Sequence, residues 1–225
     1  MSNRRAFLVS TAGAMAGTLL PAAAPASNKK APMSAQAALK ELMDGNARFT
    51  AGKPRSYSLT ARVAELASGQ APFATVLGCS DSRVPVDTVF DSRPGDIFAV
   101  RLAGNIASNM ALGSIEYAVA ELKCPLVMVL GHSKCGAVQA AIELVKDHTT
   151  FPGHIQTLAE ALAPAARDSE HTGGDWWHNA VEANVRMNVA QLKSAAPILN
   201  QAVKNGTVEI IGAVYELGTG KVTLL

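Results

Sequence analysis

Two short stretches constrain this chain more than anything else in it: Cys79-Ser80-Asp81-Ser82-Arg83 and, further along, His132-Ser133-Lys134-Cys135. Each follows directly on a short, mostly apolar run, Phe73-Ala74-Thr75-Val76-Leu77-Gly78 before the first and Leu126-Val127-Met128-Val129-Leu130 before the second. Short runs without polar alternation read as strands buried on both faces. Two chemically loaded turns at the ends of two such strands call for a fold that brings strand ends to one edge. A parallel sheet does that.

The surrounding pattern supplies the sheet. Ser34 caps a helix carrying Leu39, Leu42 and Met43, which Asp44-Gly45 interrupts, and Ser58 caps a second helix through Leu66. After the turn signal Pro94-Gly95 a strand is expected at Ile97 to Arg101, then a helix from about Ser108 to Leu122. Lys134 to about Val145, Gly153 to Arg167 and Asp175 to Val203 read as helical, the last broken near Pro197. Thr207 to Tyr215 is a further strand, and Gly218-Thr219-Gly220 turns it into Lys221 to Leu225. Strands alternating with helices predict an α/β fold with three layers, α/β/α, around a mostly parallel central sheet of about four parallel strands plus a C-terminal strand. In such sheets ligands sit at the carboxyl ends of the strands. Both loaded stretches fall there.

The N-terminus reads differently. Asn3-Arg4-Arg5 precedes a weakly apolar run from Ala6 to Leu20, followed by Pro21 and Ala22-Ala23-Ala24-Pro25-Ala26. That is a basic region, an apolar region and a small-residue cleavage site, so 1–26 is expected to be an export signal of the twin-arginine type, cut after Ala26. The protein is expected in the periplasm, with 27–225 as a single domain. The apolar run is shorter than the ~20 residues a bilayer span needs, so no stable membrane anchor is expected.

Removing the signal changes the charge argument. The whole chain has 20 basic and 18 acidic residues, a formal net charge of +2. The signal takes Arg4 and Arg5 and no acid, leaving the rest formally neutral. Nothing then resembles the basic footprint of a nucleic-acid binder or a polybasic membrane patch. The odd count of three cysteines argues against a disulfide framework. Cys124, before Pro125 at the start of an apolar run, reads as a buried small hydrophobe.

The loaded stretches together offer two thiolates, one imidazole and one carboxylate. Cysteine and histidine are preferred ligands of Zn²⁺, and three protein ligands with one exchangeable position define a catalytic zinc. His132 and Cys135 lie three apart across a strand-to-helix junction, where Ser133 is expected to cap the helix and Cys135 to sit in its first turn. Free N–H groups and the helix dipole there favour a thiolate. Cys79 closes the triangle from the neighbouring strand. Asp81 and Arg83, two residues apart in extended backbone, share a face and are expected to pair. Two thiolates nearly cancel the zinc charge, so a carboxylate that orients bound water is chemically useful there. Asp81 fits that role with Arg83 holding it, and it also fits a second arrangement in which Asp81 turns to the zinc and fills the fourth position.

The motifs C-S-D-S-R and G-H-S-x-C-G resemble those of the β-class carbonic anhydrases, and the likeness runs from about Leu39 to the C-terminus. The resemblance implies one Zn²⁺ per subunit held by Cys79, His132 and Cys135, an Asp81–Arg83 dyad, and reversible hydration of CO₂ to bicarbonate and a proton by zinc-bound hydroxide. By position relative to the motifs, Gln70 is similar to the family's substrate hydrogen-bonding glutamine, Phe98 and Tyr117 to its aromatic pocket lining, and Gly136 to the glycine whose N–H faces substrate. It further implies a homodimer or higher homo-oligomer with N-terminal helices packed on the partner, here Ser34 to Leu66. This sequence departs from the family's pattern at Val76, where members inhibited by bicarbonate at a second site carry tryptophan. It departs again at Arg101-Leu102-Ala103-Gly104-Asn105, where Arg-Asn-Ile/Val-Ala-Asn is common.

Other readings remain open on the residues. The same ligand set serves a CS₂ or COS hydrolase, and an exported zinc-binding protein without catalysis is a third possibility, against which intact Asp81 and Arg83 speak. His148, His154, His171 and His178 lie in polar or loop stretches and read as solvated. Trp176-Trp177 is expected to pack a helix start against the core or a subunit face.

Overall fold

The computed structural model of the chain describes residues 33–225. The export signal expected at 1–26 lies outside the described residues. The apolar runs become strands β1 (Ala74–Gly78), β2 (Ile97–Arg101), β3 (Leu126–His132) and β4 (Glu209–Tyr215), with a short β5 (Val222–Leu224) after the glycine turn. They form one sheet in the order β2-β1-β3-β4-β5. The first four are mutually parallel, and β5 runs antiparallel to β4. The sheet is thus the expected one, four parallel strands and a C-terminal addition.

Every residue of β1 and β3 is buried, because helices cover both faces of the sheet. Alternating side chains of β3 divide between two cores: Val127 and Val129 enter one, Leu126, Met128 and Leu130 the other. The first core is filled by α4 (Asn109–Ala120), α5 (Gly136–Asp147), α6 (Ile155–Ser169), α7 (Trp176–Ser194) and α8 (Ile198–Lys204) through Ile115, Val138, Leu162, Val185 and Leu199. The second is closed by α1 (Ala35–Thr50) and the one-turn α3 (Val86–Val89), through Ala38, Leu42, Val86 and Val89, with Phe90 and Tyr215. Between α1 and α3 lies α2 (Leu59–Leu66), which buries none of its residues and leaves Leu59 and Val63 more than half exposed. No helix among the described residues is long and apolar enough to cross a membrane.

Local chemistry sets most boundaries. Ser34 and Ser58 cap α1 and α2 by accepting the N–H of Ala37 and Ala61, and Asp175 caps α7 at Trp177. The break expected at Pro197 separates α7 from α8. One expectation fails: Asp44-Gly45 does not interrupt α1, which runs unbroken to Thr50. Gly45 serves close approach instead. A Cβ there would fall 1.8 Å from the Phe90 carbonyl oxygen, so only glycine lets the helix lie on that backbone. Buried Asn46 beside it donates to the carbonyls of Val89 and Gly220 and accepts the N–H of Val222.

The substitution Gly45→Ala therefore sets two effects against each other. Alanine favours a helix interior by about 1 kcal/mol over glycine, while forcing an extra carbon into packed backbone costs about 1–3 kcal/mol or more. The contact wins, and Gly45→Ala is expected to lower the thermal unfolding midpoint by about 3–8 °C. A midpoint raised by the substitution would show that α1 is not seated on Phe90.

Candidate metal centre

Cys79 follows the last residue of β1, His132 ends β3, and Cys135 is the residue before α5. Since β1 and β3 pair in parallel with Gly78 opposite Leu130, the strand ends deliver the first two side chains to the same edge. The turn after β3 brings back the third. The two sulfurs and the imidazole nitrogen lie within 4.8 Å of one another, and all three residues are buried.

The histidine states what the cluster lacks. Its Nδ1 lies 3.0 Å from the Ser133 carbonyl, so a proton on Nδ1 is donated there and Nε2 keeps a lone pair. That Nε2 is buried and has no hydrogen-bond partner, and an unsatisfied buried acceptor costs about 1–3 kcal/mol. A cation among the three side chains would satisfy it. The thiols agree. The Cys79 thiol is held far below its usual range, first by the Cys135 thiol donating to it and then by the N–H groups of Gly104 and Asp81, against burial. The Cys135 thiol is pushed up by giving that same hydrogen bond and by burial. Two sulfurs thus share protons that a divalent cation displaces on binding. Residues and geometry fit a single metal ion.

Beside the trio, Arg83 grips Asp81. Its Nε and Nη2 donate to the two carboxylate oxygens at 2.9 and 2.7 Å, and its backbone N–H donates to Oδ1 at 2.9 Å. The Arg83 guanidinium accordingly holds the Asp81 carboxyl below the usual carboxylate range. The second oxygen of Asp81 is 3.9 Å from His132 Nε2, so the carboxylate borders the space the three side chains enclose.

Several supports were not legible in the motifs. Arg101 at the end of β2 donates to the backbone carbonyls of Cys79 and Asp81 at 2.9 and 2.7 Å, pinning the first turn. Gly104, in a 3-10 turn at Ala103–Asn105, donates its N–H to Cys79 Sγ at 3.3 Å. The Trp177 indole donates to the Cys135 carbonyl at 3.0 Å; Trp176-Trp177 does pack at a helix start, and Trp177 also fastens a candidate ligand. The expectation that Ser133 caps α5 is corrected. Cys135 occupies the cap position, while the Ser133 hydroxyl donates to Glu216 at 2.8 Å and accepts the Leu217 N–H. The β3–β4 register, with His132 opposite Tyr215, sets Ser133 beside Glu216, and the chain then turns through Lys134, whose φ is +53°, to bring Cys135 to the cap. Cys124 is buried between Thr75 and the Leu126 carbonyl, and the four other histidines are exposed, both as expected.

The expected pocket residues divide. Gly136 starts α5 next to Cys135, and open space lies over its Cα. Phe98 and Tyr117 pack together, ring centroids 6.4 Å apart, but Phe98 pairs with Thr75, about 13 Å of strand before Cys79. Exposed Gln70 precedes β1 altogether. Within one chain, Gln70, Phe98 and Tyr117 therefore lie toward the end of the sheet remote from the trio.

The fold and the trio define a class of protein, a parallel α/β domain with a buried site for one metal ion at the carboxyl edge of its sheet. Comparisons narrow it. A family model described as carbonic anhydrase matches residues 74–222. Carbonic anhydrase 2 of Mycobacterium tuberculosis is 40% identical over 190 residues, 84% of this chain and 91% of that protein. Among solved structures, the Coccomyxa β-carbonic anhydrase in complex with acetazolamide superposes with a TM-score of 0.66 at 31% identity, covering 74% of this chain and 77% of that one. The tetrameric β-carbonic anhydrases of Sordaria macrospora give 0.65 at 29% identity, covering 72% and 85%. This chain belongs to the β-class carbonic anhydrases.

Proposed function

We propose that the chain hydrates CO₂ reversibly to bicarbonate and a proton on one Zn²⁺ per subunit, held by Cys79, His132 and Cys135, with Asp81 and Arg83 as the working dyad. The observation that carries this reading is the buried trio, with its unpartnered His132 Nε2, beside a carboxylate that Arg83 keeps ionised. Zinc, when bound, supplies a coordinated water acidified toward neutrality and hence a nucleophile. Asp81 accepts a hydrogen bond from that water and aims it. Arg83 keeps Asp81 off the metal, so the fourth position stays available. The uncovered Gly136 leaves room for a small, flat substrate, with the α5 N-terminus offering N–H groups to bicarbonate oxygens.

Gln70, Phe98 and Tyr117 reach such a site only from a second copy of the chain, since in their own chain they sit at the far end of the strands. The uncovered Leu59 and Val63 of α2 support packing of the N-terminal helices on that copy in a homo-oligomer. We assign the segment 1–26 to twin-arginine export to the periplasm. That route carries folded proteins and lets the thiols take up metal before meeting an oxidising compartment. Mass analysis of exported protein should find Ser27 as its first residue; a mature chain retaining Arg4 and Arg5 overturns the assignment.

The function is tested by stopped-flow CO₂ hydration on metal-analysed protein. One zinc per chain, loss of activity on chelation and recovery on adding zinc are expected. Zinc-replete protein that leaves CO₂ hydration at the uncatalysed rate, or releases sulfide from CS₂ or COS in preference, refutes it.

A further inference from the structure

Helix α7 carries polar residues at Asn184, Asn188 and Gln191, spaced to fall on one face of the helix. The two asparagines of that face are turned into the protein, Asn184 1% and Asn188 0% exposed, while Gln191 sits at its exposed edge. Side chains so buried persist only where their hydrogen bonds are made. Here three of five, counting that of Gln191, are made to the loop that follows β2, and the other two join the asparagines to each other. Asn188 accepts the Ala107 N–H at 2.7 Å and donates to the backbone carbonyl and side-chain oxygen of Asn184, both at 2.8 Å. Asn184 donates to the Gly104 carbonyl at 2.9 Å, and Gln191 donates to the Ala107 carbonyl at 2.9 Å.

The loop needs such fastening. Gly104 has a φ of +72° and Asn105, next to it, +45°, two consecutive left-handed residues that no regular ladder holds. A Cβ at Gly104 would meet Leu162 Cδ1 at 2.7 Å, so the backbone itself is wedged against α6. The outcome of this placement is a single directed contact, the Gly104 N–H pointing at Cys79 Sγ from 3.3 Å.

We propose that Asn184 and Asn188 are positioning residues for the metal centre, holding the Gly104 amide as a hydrogen-bond donor to the Cys79 sulfur. The inference rests on the zinc reading above and deepens it. A thiolate that accepts an N–H bond donates less charge to its metal, and hydrogen bonds to ligand atoms tune metal sites in this way. With two thiolates neutralising the ion, withdrawing charge from one sulfur restores part of the acidity that the ligand set removes. Asn184 and Asn188 touch neither substrate nor metal. They act only through the loop that carries Gly104, Asn184 at Gly104 itself and Asn188 at Ala107.

The test uses the intact enzyme with zinc replaced by cobalt(II) or cadmium-113. In the wild-type cadmium enzyme, the Gly104 amide proton should show through-bond coupling to the metal across the N–H···S contact. In the cobalt enzyme, Asn184→Ala and Asn188→Ala should move the thiolate-to-cobalt charge-transfer band to longer wavelength, because the sulfur lone pairs rise in energy. Metal affinity should fall by about 10- to 100-fold. Leu199→Ala, in the core at α8, is the control that lowers the melting temperature without moving the band. If the wild-type sulfur band is present but no Gly104 coupling is seen, or if the asparagine variants melt early with the band unmoved, the positioning role is overturned. If cobalt meets no thiolate at all, the zinc reading falls and takes this inference with it. The cadmium measurement needs no variant, so misfolding cannot mask the answer.

Discussion

Replacing Cys135 by serine should reduce CO₂ hydration to the uncatalysed rate and leave the fold standing. The two halves of that expectation have separate causes. Serine oxygen does not ionise near neutrality and is a poor ligand for zinc, so one of three anchoring groups is lost and metal affinity should fall by more than the roughly 10- to 100-fold typical of outer partners. The same residue caps α5 without any side-chain hydrogen bond to the helix. Serine is among the best capping residues, worth about 1 kcal/mol over a residue that does not cap, and it is close to cysteine in size. Metal-free Cys135→Ser protein should therefore melt at or slightly above the temperature of metal-free wild type, while holding no zinc through dialysis. A variant that keeps stoichiometric zinc and normal hydration would remove Cys135 from the metal set. One that fails to fold would make the site structural.

The sequence made the sheet legible because each strand is short, apolar and bounded by turn residues, and it made the trio legible because Cys79, His132 and Cys135 lie at or just after strand ends. Gly45 was misread for a definite reason. Glycine inside a helical pattern signals either a break or a close approach, and only the Phe90 carbonyl 1.8 Å from the would-be Cβ decides between them. Ser133 was misread because a serine before a helix is a capping signal, whereas the pairing of β3 with β4 sets it beside Glu216, 83 residues away in the chain. Arg101, Gly104, Trp177 and the α7 asparagines carried no signal of these contacts in the sequence, since each contact to the two turns and the loop after β2 has a backbone atom on one side. A carbonyl or amide leaves no mark in sequence. The expected pocket residues mark a further limit: Gln70, Phe98 and Tyr117 are readable in order along the chain, yet within it they lie at the end of the sheet remote from the trio.

Asp81→Asn should cut CO₂ hydration by about 100-fold or more while leaving zinc content unchanged, and the contrast with Cys135→Ser is the point. Asparagine keeps the shape of the side chain but loses its charge, so it presents an amide to Arg83 and a weaker acceptor to the reacting water. Positioned acid and base groups contribute about 10²- to 10⁴-fold. Asp81 is none of the three closest ligands, hence the metal should remain. The pH dependence carries the sign. Because Arg83 depresses the Asp81 pKa, the carboxylate is ionised at every pH above that of an ordinary aspartate, about 4, and an activity loss between pH 8 and 6 does not come from its protonation. Arg83→Ala provides the converse. With its partner gone, the Asp81 carboxylate, already 3.9 Å from His132 Nε2, is free to turn and fill the metal's fourth position. Activity should fall in Arg83→Ala as well, with zinc bound more tightly than in wild type. The double variant should be no slower than Asp81→Asn alone, since the carboxylate that blocks the site is absent. Full activity in Arg83→Ala would mean that Asp81 needs no restraint, and the dyad would reduce to a single residue.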